Sequence, residues 1–431
     1  MDSSRWVARN PTSLEVAHQL DAPTASQHPQ IHGRKPFPPQ RLRSIDALRG
    51  LAALVVVLAH CVEHGSFVEM NAIPAWLGLT FDRMFSYGRV GVTLFFLISG
   101  LCIHLRWARA KAQGRTPDLG FATFWKRRLF RLYPPFLAAL GIYLVAQTWS
   151  GAMHWDSFGV YDLLSHLFML HNFDERTIFS IEGVFWTLAI EEQLYLAYFL
   201  LLHVRGRWGW GWALALCLVG RIGWFGLAFV VNRASGGFRL PHDGGSLAHW
   251  FVWALGAVAI ETEAGLITLP DWTKKMTYAG ACLAAAIACD LVSEYHLFGG
   301  VAWRLSWLVG APLWGVGLFV LVNRLISAET RWRANSGLPR LVNGFAALGL
   351  FSYSTYLMHH FVLLHLDPPL FRSLGLDDSL ANKLLSLPLC YAFSWIFFLG
   401  IERHFIARPG QAKARQAREA GLTSRWTSVA R

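Results

Sequence analysis

Apolar segments of near 20 residues alternate with short polar connections along most of the chain. About 20 apolar residues cross the hydrocarbon core of a bilayer as a helix, so each segment predicts one transmembrane helix. The pattern therefore predicts an all-α, polytopic integral membrane protein with about ten transmembrane helices. The predicted spans are 44–63, 88–106, 133–149, 184–203, 208–231, 246–261, 276–291, 304–325, 344–365 and 384–404.

Lysine and arginine are unequally divided between the two sets of loops. An even number of spans puts both termini on one side, where the tails and loops hold 29 of these residues, against 8 in the opposite loops. Cytoplasmic loops carry such an excess, so both termini are predicted to be cytoplasmic. The net charge of +12 is then explained by topology and by anionic membrane lipid, and no nucleic acid partner is predicted.

The composition divides the chain into three regions. Residues 1–40 are polar and contain no apolar signal segment, so we expect a disordered cytoplasmic tail there. Residues 41–405 form the predicted transmembrane domain, and 406–431 form a basic cytoplasmic tail. The long outer connection contains the apolar stretch Val160–His171, which is too short to span and predicts an interfacial or re-entrant helix.

His60, Glu191 and His359 are ionisable residues that lie deep within three different predicted spans. His60 follows Arg49 by eleven residues, which on a helix is about 16 Å, near mid-bilayer if Arg49 lies at the surface. By the same geometry Glu191 and His359 lie about 10 Å below the outer surface. The similar depths predict one shared polar cavity. The alternative is that each residue is satisfied by local partners, with Arg49 as an interface anchor.

Two further motifs carry polar or small residues. Arg128 and Arg131 lie one helical turn apart at the inner end of the third span. They favour either a positive-inside anchor or a phosphate clamp, since guanidinium groups bind phosphate bidentately. The Ser99-Gly100 pair of the second span predicts close helix packing.

A metal site is not predicted. His60 and His64 form an i,i+4 pair and His359 has a histidine neighbour, but there is no zincin-type sequence and no clear carboxylate set.

Five of these segments, in order, resemble the acyltransferase 3 family of polytopic membrane enzymes that modify cell-envelope saccharides. The resemblance covers about 41–405. Its motifs are Arg49 with His60, the FFLISG stretch, RRLFRLYP with Arg128, Arg131 and Pro134, FWTLAIEEQLYL with Glu191, and FSYSTYLMHH with Tyr356 and His359, followed by a closing segment at Ile401–Arg403. Thr187, Thr93 and Leu101 depart from the residues common at their positions, which affects details of the acceptor cavity.

The resemblance implies an acyl-CoA donor, most often acetyl-CoA, and a hydroxyl acceptor on a cell-envelope saccharide or glycoconjugate outside a bacterial inner membrane. We expect Arg128 and Arg131, together with Arg49, to hold the CoA phosphates at the inner mouth. His60 would act as general base or as transient acyl carrier. No fused extracytoplasmic hydrolase-like domain is expected, so the membrane domain would act alone or pass the acyl group to a separate protein.

Three further roles complete the predicted site. Glu191 would orient His60 or stabilise its imidazolium, while His359 and Tyr356 would line the acceptor side. A different class of protein remains open. The chain could be a proton-coupled transporter or flippase of a saccharide or lipid-linked precursor, with His60 and Glu191 as a proton relay.

Overall fold

Helices make up the regular structure throughout the described residues, as the apolar pattern predicts. The computed structural model describes residues 42–63, 74–85, 87–117, 120–234, 236–335, 337–375 and 380–406. The predicted tail 1–40, the segment containing His64 and almost all of the predicted tail 406–431 lie outside these ranges. The α-helices are α1 Arg43–Glu63, α2 Ala75–Phe85, α3 Gly88–Ala112, α4 Phe121–Ser150, α5 Ser157–Leu167, α6 Trp186–Trp208, α7 Trp210–Ala234, α8 Ser246–Glu263, α9 Met276–Glu294, α10 Gly299–Asn335, α11 Arg340–Gly349, α12 Ser352–Phe361, α13 Asp367–Ser373 and α14 Leu380–Gly400. Short 3₁₀ turns lie at His171–Phe173, Asp271–Lys274 and Glu402–His404, and a π-helical turn at Val362–Leu366.

Seven helical stretches of the described residues are long and apolar enough to cross a membrane. They are Arg43–Glu63, Ala75–Ala112, Phe121–Ser150, Trp210–Ala234, Met276–Glu294, Gly299–Asn335 and Leu385–His404. The other predicted spans correspond to α6, α8 and the broken pair α11 and α12, which carry buried polar residues. Many large apolar side chains also face outward, as lipid contact requires. The protein is therefore an all-α polytopic membrane protein, while the count of ten and the side of the termini stay predictions.

Two helix crossings depend on paired glycines. A Cβ atom on Gly50 of α1 would collide with the main-chain oxygen of Phe345, and one on Gly349 with that of Asp46. At the crossing of α3 and α8, Gly100 and Gly256 likewise face main-chain atoms of the other helix. Small residues allow backbones to approach this closely in membrane bundles. The packing role predicted for the Ser99-Gly100 pair is confirmed for its glycine.

Replacing Gly256 by alanine is expected to destabilise the bundle. The added methyl group meets the main-chain atoms of Leu97 and Leu101, which a side-chain rotation does not relieve. Overpacking of this kind costs about 1–3 kcal/mol. Gly280→Ala is the matched control, because a Cβ on that helical glycine meets no atom within 4 Å. Thermal unfolding in detergent should show a lower midpoint for Gly256→Ala alone; equal midpoints would contradict this crossing.

Buried carboxylates hold the beginnings of two helices. At the start of α1, Glu329 accepts hydrogen bonds from the main-chain N–H groups of Arg43 (3.1 Å) and Ser44 (2.8 Å). At the start of α12, Glu402 accepts from the Ser354 N–H (3.1 Å) and hydroxyl (2.5 Å). Helix N-termini leave N–H groups unsatisfied and favour negative charge. These contacts fix the ends of the helices that carry His60 and His359.

Arg221 is buried in α7, where charge is costly. Its guanidinium donates to the main-chain oxygens of Leu308 (2.7 Å), Trp307 (2.6 Å) and Ala248. Pro312 has no N–H, so the carbonyl of Leu308, four residues earlier, lacks its usual helical partner. The proline of α10 thus frees an acceptor that Arg221 uses.

The last part of the long connection before α6 packs into the bundle. The helix predicted around Val160–His171 is present as α5, and its interfacial position stays a prediction. After it, the side chains of Ile181, Val184 and Phe185 are buried within the same apolar cluster as residues of α4 and α12. The chain is therefore already inside the bundle when α6 begins at Trp186.

Candidate functional site

A cavity of about 560 Å³ lies within the bundle. Its walls come from α1, α3, α4, α6 and α12, together with the α11–α12 junction and the end of α14. The polar residues on its walls are Asp46, Arg49, Ser99, Cys102, Arg128, Arg131, Thr187, Glu191, Ser352, Tyr353, Tyr356 and Glu402. Two helices that are distant in sequence thus place three arginines around one space.

The arginine end of the cavity is formed by α1 and α4. Arg49 donates to the Sγ atom of Cys102 at 3.4 Å and lies 4.0 Å from the Asp46 carboxylate. The Arg128 guanidinium lies over the Tyr195 ring, 5.7 Å from its centroid. Arg131 follows one turn later on the same face, as the spacing predicts. Three guanidinium groups thus face one space whose walls also carry the carboxylates of Asp46, Glu191 and Glu402, so this end of the cavity is rich in charge of both signs.

Glu191 is fixed on the cavity wall by two hydroxyl groups. Its Oε1 atom accepts hydrogen bonds from Ser99 Oγ and Tyr195 Oη, each at 2.5 Å. Trp253 Nε1 in turn donates to Ser99 Oγ at 3.3 Å. Packing alone was predicted for the Ser99-Gly100 pair, and this was incomplete, because the serine holds the carboxylate of Glu191.

The structure does not bring Glu191 to His60. Ser99, which holds Glu191, lies one helical turn before Cys102, which contacts Arg49. Glu191 is therefore near the level of Arg49, whereas His60 lies eleven residues, about 16 Å, further along α1. The prediction of similar depth for these two residues was wrong.

The error in depth has a physical cause. The sequence places Val184 at the membrane surface, because that residue begins an apolar run. In the structure Val184 and Phe185 are already buried, and α6 continues inward from Trp186. Glu191 consequently lies deeper in the bundle than a helix starting at the surface would put it.

Tyr356 and Thr187 form a second polar part of the cavity wall. Their hydroxyl oxygens lie 2.7 Å apart, and Tyr356 Oη donates to the main-chain oxygen of Val184 at 3.1 Å. Thr187 therefore supplies the hydroxyl that a serine would supply, so this departure from the family motif preserves a polar contact.

His60 and His359 form a hydrogen-bonded pair beyond Tyr356. His359 Nε2 lies 3.1 Å from His60 Nδ1, and the His359 ring centroid lies 6.0 Å from that of Tyr356. His60 Nδ1 is also 3.0 Å from the oxygen of Val56, and His359 Nδ1 is 2.9 Å from the oxygen of Thr355. Carbonyl oxygens only accept, so in the neutral rings both Nδ1 atoms carry the proton. His60 Nε2 is then the basic nitrogen.

The predicted residues thus fall into two connected groups. The cavity brings together Arg49, Arg128, Arg131, Glu191 and Tyr356, while His60 and His359 pair with each other behind Tyr356. The shared depth predicted for His60 and His359 agrees with their hydrogen bond.

Sequence reasoning missed the carboxylates around the histidine pair. Glu63 Oε2 lies 3.8 Å from His60 Nε2, and Glu182 accepts from His360 Nδ1 at 2.7 Å. The i,i+3 spacing of His60 and Glu63 is a local signal that was available. Glu182 lies in the connection before α6, where nothing in the sequence relates it to α12.

Fold and cavity together define an integral membrane protein with an internal polar site. Residues 42–405 match the acyltransferase domain family, and the chain belongs to that family. It is 30% identical over 172 residues to the acyltransferase MdmB of Streptomyces mycarofaciens, covering 38% of this chain and 40% of that protein. It is 30% identical over 180 residues to the O-acetyltransferase OatA of Staphylococcus aureus, covering 39% of this chain and 26% of that protein. The chain thus spans less than half the length of either relative, and no solved structure matches it.

Proposed function

We propose that the protein is an O-acyltransferase that moves an acyl group from acyl-CoA to a hydroxyl of a saccharide or glycoconjugate. The observation that carries this proposal is the cavity that joins three arginines to Tyr356, with the His60–His359 pair directly behind. Acetyl-CoA is the donor that we propose, in keeping with the name of the staphylococcal relative. The acceptor is on the outer side of the membrane.

The arginine end provides the site for the CoA phosphates. Guanidinium groups bind phosphate through paired, charge-assisted hydrogen bonds, so Arg49, Arg128 and Arg131 hold the nucleotide at the inner mouth. The pantetheine arm is long and nearly uncharged, and it extends along the apolar walls toward Thr187 and Tyr356. Only the acyl end then needs to reach the histidine pair, and the charged nucleotide stays at the mouth.

His60 performs the transfer step. In one route its Nε2 removes the proton of the acceptor hydroxyl, whose oxygen attacks the thioester carbonyl as the carbon–sulfur bond breaks; the CoA thiolate then takes the proton from the imidazolium. In the other route His60 Nε2 itself attacks the thioester carbonyl, and the carbon–sulfur bond breaks to release CoA thiolate; the acceptor hydroxyl then attacks the acyl-histidine, the N–acyl bond breaks, and the hydroxyl proton passes to the thiolate. Both routes require a neutral ring with Nε2 unprotonated, which is the tautomer that the Val56 contact favours.

His359 takes the orienting role that the sequence assigned to Glu191. Its Nε2 faces His60 Nδ1, and its own Nδ1 is fixed on Thr355. Glu191 lies on the wall of the cavity that holds acyl-CoA, where its carboxylate accepts hydrogen bonds from N–H groups of the acyl-CoA. Tyr356 faces the same cavity, so it contacts the acyl portion of the acyl-CoA and not the acceptor.

Neutralising Glu191 is expected to weaken donor binding rather than alter His60. For Glu191→Gln we expect the KM for acyl-CoA to rise about tenfold, the equivalent of one hydrogen bond to a charged group. The pH dependence of kcat should stay as in the wild type, because Glu191 does not contact His60. Steady-state kinetics over a pH series measures both quantities. A displaced kcat profile with unchanged KM would return Glu191 to the role beside His60.

The contacts of Glu191 count against the transporter alternative. Direct proton transfer would need His60 and Glu191 as neighbours, whereas Glu191 accepts hydrogen bonds from Ser99 and Tyr195. The transporter alternative also leaves the three arginines around one cavity without a ligand.

Acyl transfer is tested with radiolabelled acetyl-CoA and membranes containing the protein. After incubation, the lipid, glycan and protein fractions are separated, with membranes lacking the protein as control. Donor-dependent label in the glycan fraction supports the proposal, and label on the protein itself favours the acyl-histidine route. Label on a separate extracytoplasmic protein identifies a relay. No label from any member of an acyl-CoA panel would overturn the proposal.

A further inference from the structure

Three potential metal ligands converge near the C-terminal ends of α1 and α12. His60, Glu63 and His360 each offer one ligand atom, and these atoms all lie within 4.8 Å of one another. His60 Nε2 is 3.8 Å from Glu63 Oε2, and the His60 and His360 rings meet edge to face at 4.5 Å. His60 and Glu63 are one turn apart on α1, and the fold brings His360 to them from α12.

The contacts behind the two histidines fix which nitrogen faces the cluster. His60 Nδ1 is held by the main-chain oxygen of Val56 at 3.0 Å, and His360 Nδ1 by the buried Glu182 carboxylate at 2.7 Å. Metal-binding histidines typically donate their second N–H to a carbonyl or carboxylate, which sets the ring orientation and raises the basicity of the ligand nitrogen. Both rings therefore have a support of the kind found behind metal ligands.

The chemistry of the ligand set selects the ion. Two imidazoles and one carboxylate suit Zn²⁺ and similar transition-metal ions, whereas Ca²⁺ and Mg²⁺ prefer oxygen ligands alone. Glu63 is 59% exposed, whereas the side chains of His60 and His360 are largely buried. An ion thus enters past Glu63 and is held by the two rings, with a fourth position left for water.

We propose that His60, Glu63 and His360 bind a Zn²⁺-class ion, and that the bound ion inhibits acyl transfer by occupying His60 Nε2. The proposed inhibition rests on the proposed function, since it needs His60 as the reacting group. The proposed binding of zinc rests on geometry alone. The sequence offers the His60–His64 pair and the neighbouring His359 and His360, and it predicts no metal because no carboxylate set accompanies them. The fold joins His60 and His360 to the carboxylate of Glu63.

Zinc binding is measured on the purified, tag-free full chain after chelation and dialysis against micromolar Zn²⁺. We expect Glu63→Gln and His360→Gln each to lose one zinc equivalent per chain or to bind it at least tenfold more weakly, the scale of losing a ligand contact. His203→Ala, which removes an exposed histidine of α6, is the matched control and should bind as the wild type does. Thermal unfolding verifies that the variants are folded. Equal zinc content in all four proteins would overturn the site.

Inhibition is measured separately, as loss of label transfer with rising Zn²⁺. The wild type should be inhibited, and Glu63→Gln should resist inhibition by at least tenfold in Zn²⁺ concentration, each protein being compared with its own zinc-free rate. Equal inhibition of both proteins would overturn the proposal that zinc at this site inhibits acyl transfer. Loss of the zinc equivalent in Glu63→Gln, with no transfer by the wild type, would support the metal site and count against the proposed function.

Discussion

Replacing His60 by alanine is expected to abolish acyl transfer, with a loss of about a thousandfold or more, because a positioned acid–base group contributes about 10²–10⁴ to rate. In either route the variant has no nitrogen to activate the acceptor or carry the acyl group. The measurement is the rate of donor-dependent labelling by purified protein. Binding of acyl-CoA should change little, because the arginine end of the cavity remains intact.

The controls for His60 separate chemistry from folding. His60→Asn places an amide N–H near the position of Nδ1, where it retains a donor for Val56 while removing the basic Nε2. It should unfold at the wild-type temperature and be as inactive as the alanine variant. His203→Ala should keep full activity. Substantial turnover by the folded His60→Asn protein would exclude His60 from the reaction.

Removing the charge of Arg131 is expected to raise the KM for acyl-CoA by about 10–100-fold, with a smaller change in kcat. The estimate corresponds to the loss of about 1.5–3 kcal/mol, typical for a hydrogen bond to a charged group. Arg131→Gln retains much of the side-chain volume, so the helix packing of α4 is preserved. Steady-state kinetics with acetyl-CoA as the varied substrate gives both constants.

Arg127→Gln is the matched control for Arg131. Arg127 lies on the same helix and carries the same charge, but it is not among the residues lining the cavity. Its substitution should leave the KM near the wild-type value. If both variants raised KM equally, the effect would come from the general basic charge of this surface and the cavity would lose its role in donor binding.

The helical class and the Arg-to-His path were predictable, because they follow from local periodicity. The three-residue spacing of Arg128 and Arg131 puts both side chains on one face of a helix. The number of residues between Arg49 and His60 gives the axial distance between them. The similar depths of His60 and His359 also followed from counting residues along spans whose ends are near the surface.

The position of Glu191 was not predictable in this way. Its depth depends on where the connection before α6 enters the bundle, and that is decided by burial of Val184 and Phe185 against distant helices. Likewise, the bond between Ser99 and Glu191 and the approach of Glu182 to His360 join residues 92 and 178 positions apart. Tertiary packing determines which of these distant residues meet, and a local sequence pattern does not predict it.

The central claim, that the donor lies along this cavity with its acyl end near Tyr356, is tested most directly by photo-crosslinking. An acyl-CoA analogue with a diazirine in its acyl chain is irradiated with the purified protein, and the labelled peptides are mapped by mass spectrometry. Label that acetyl-CoA competes away should appear on peptides containing Thr187, Tyr356 or His60. Competed label confined to lipid-facing peptides of α7 or α9, with none at these residues, would contradict the account.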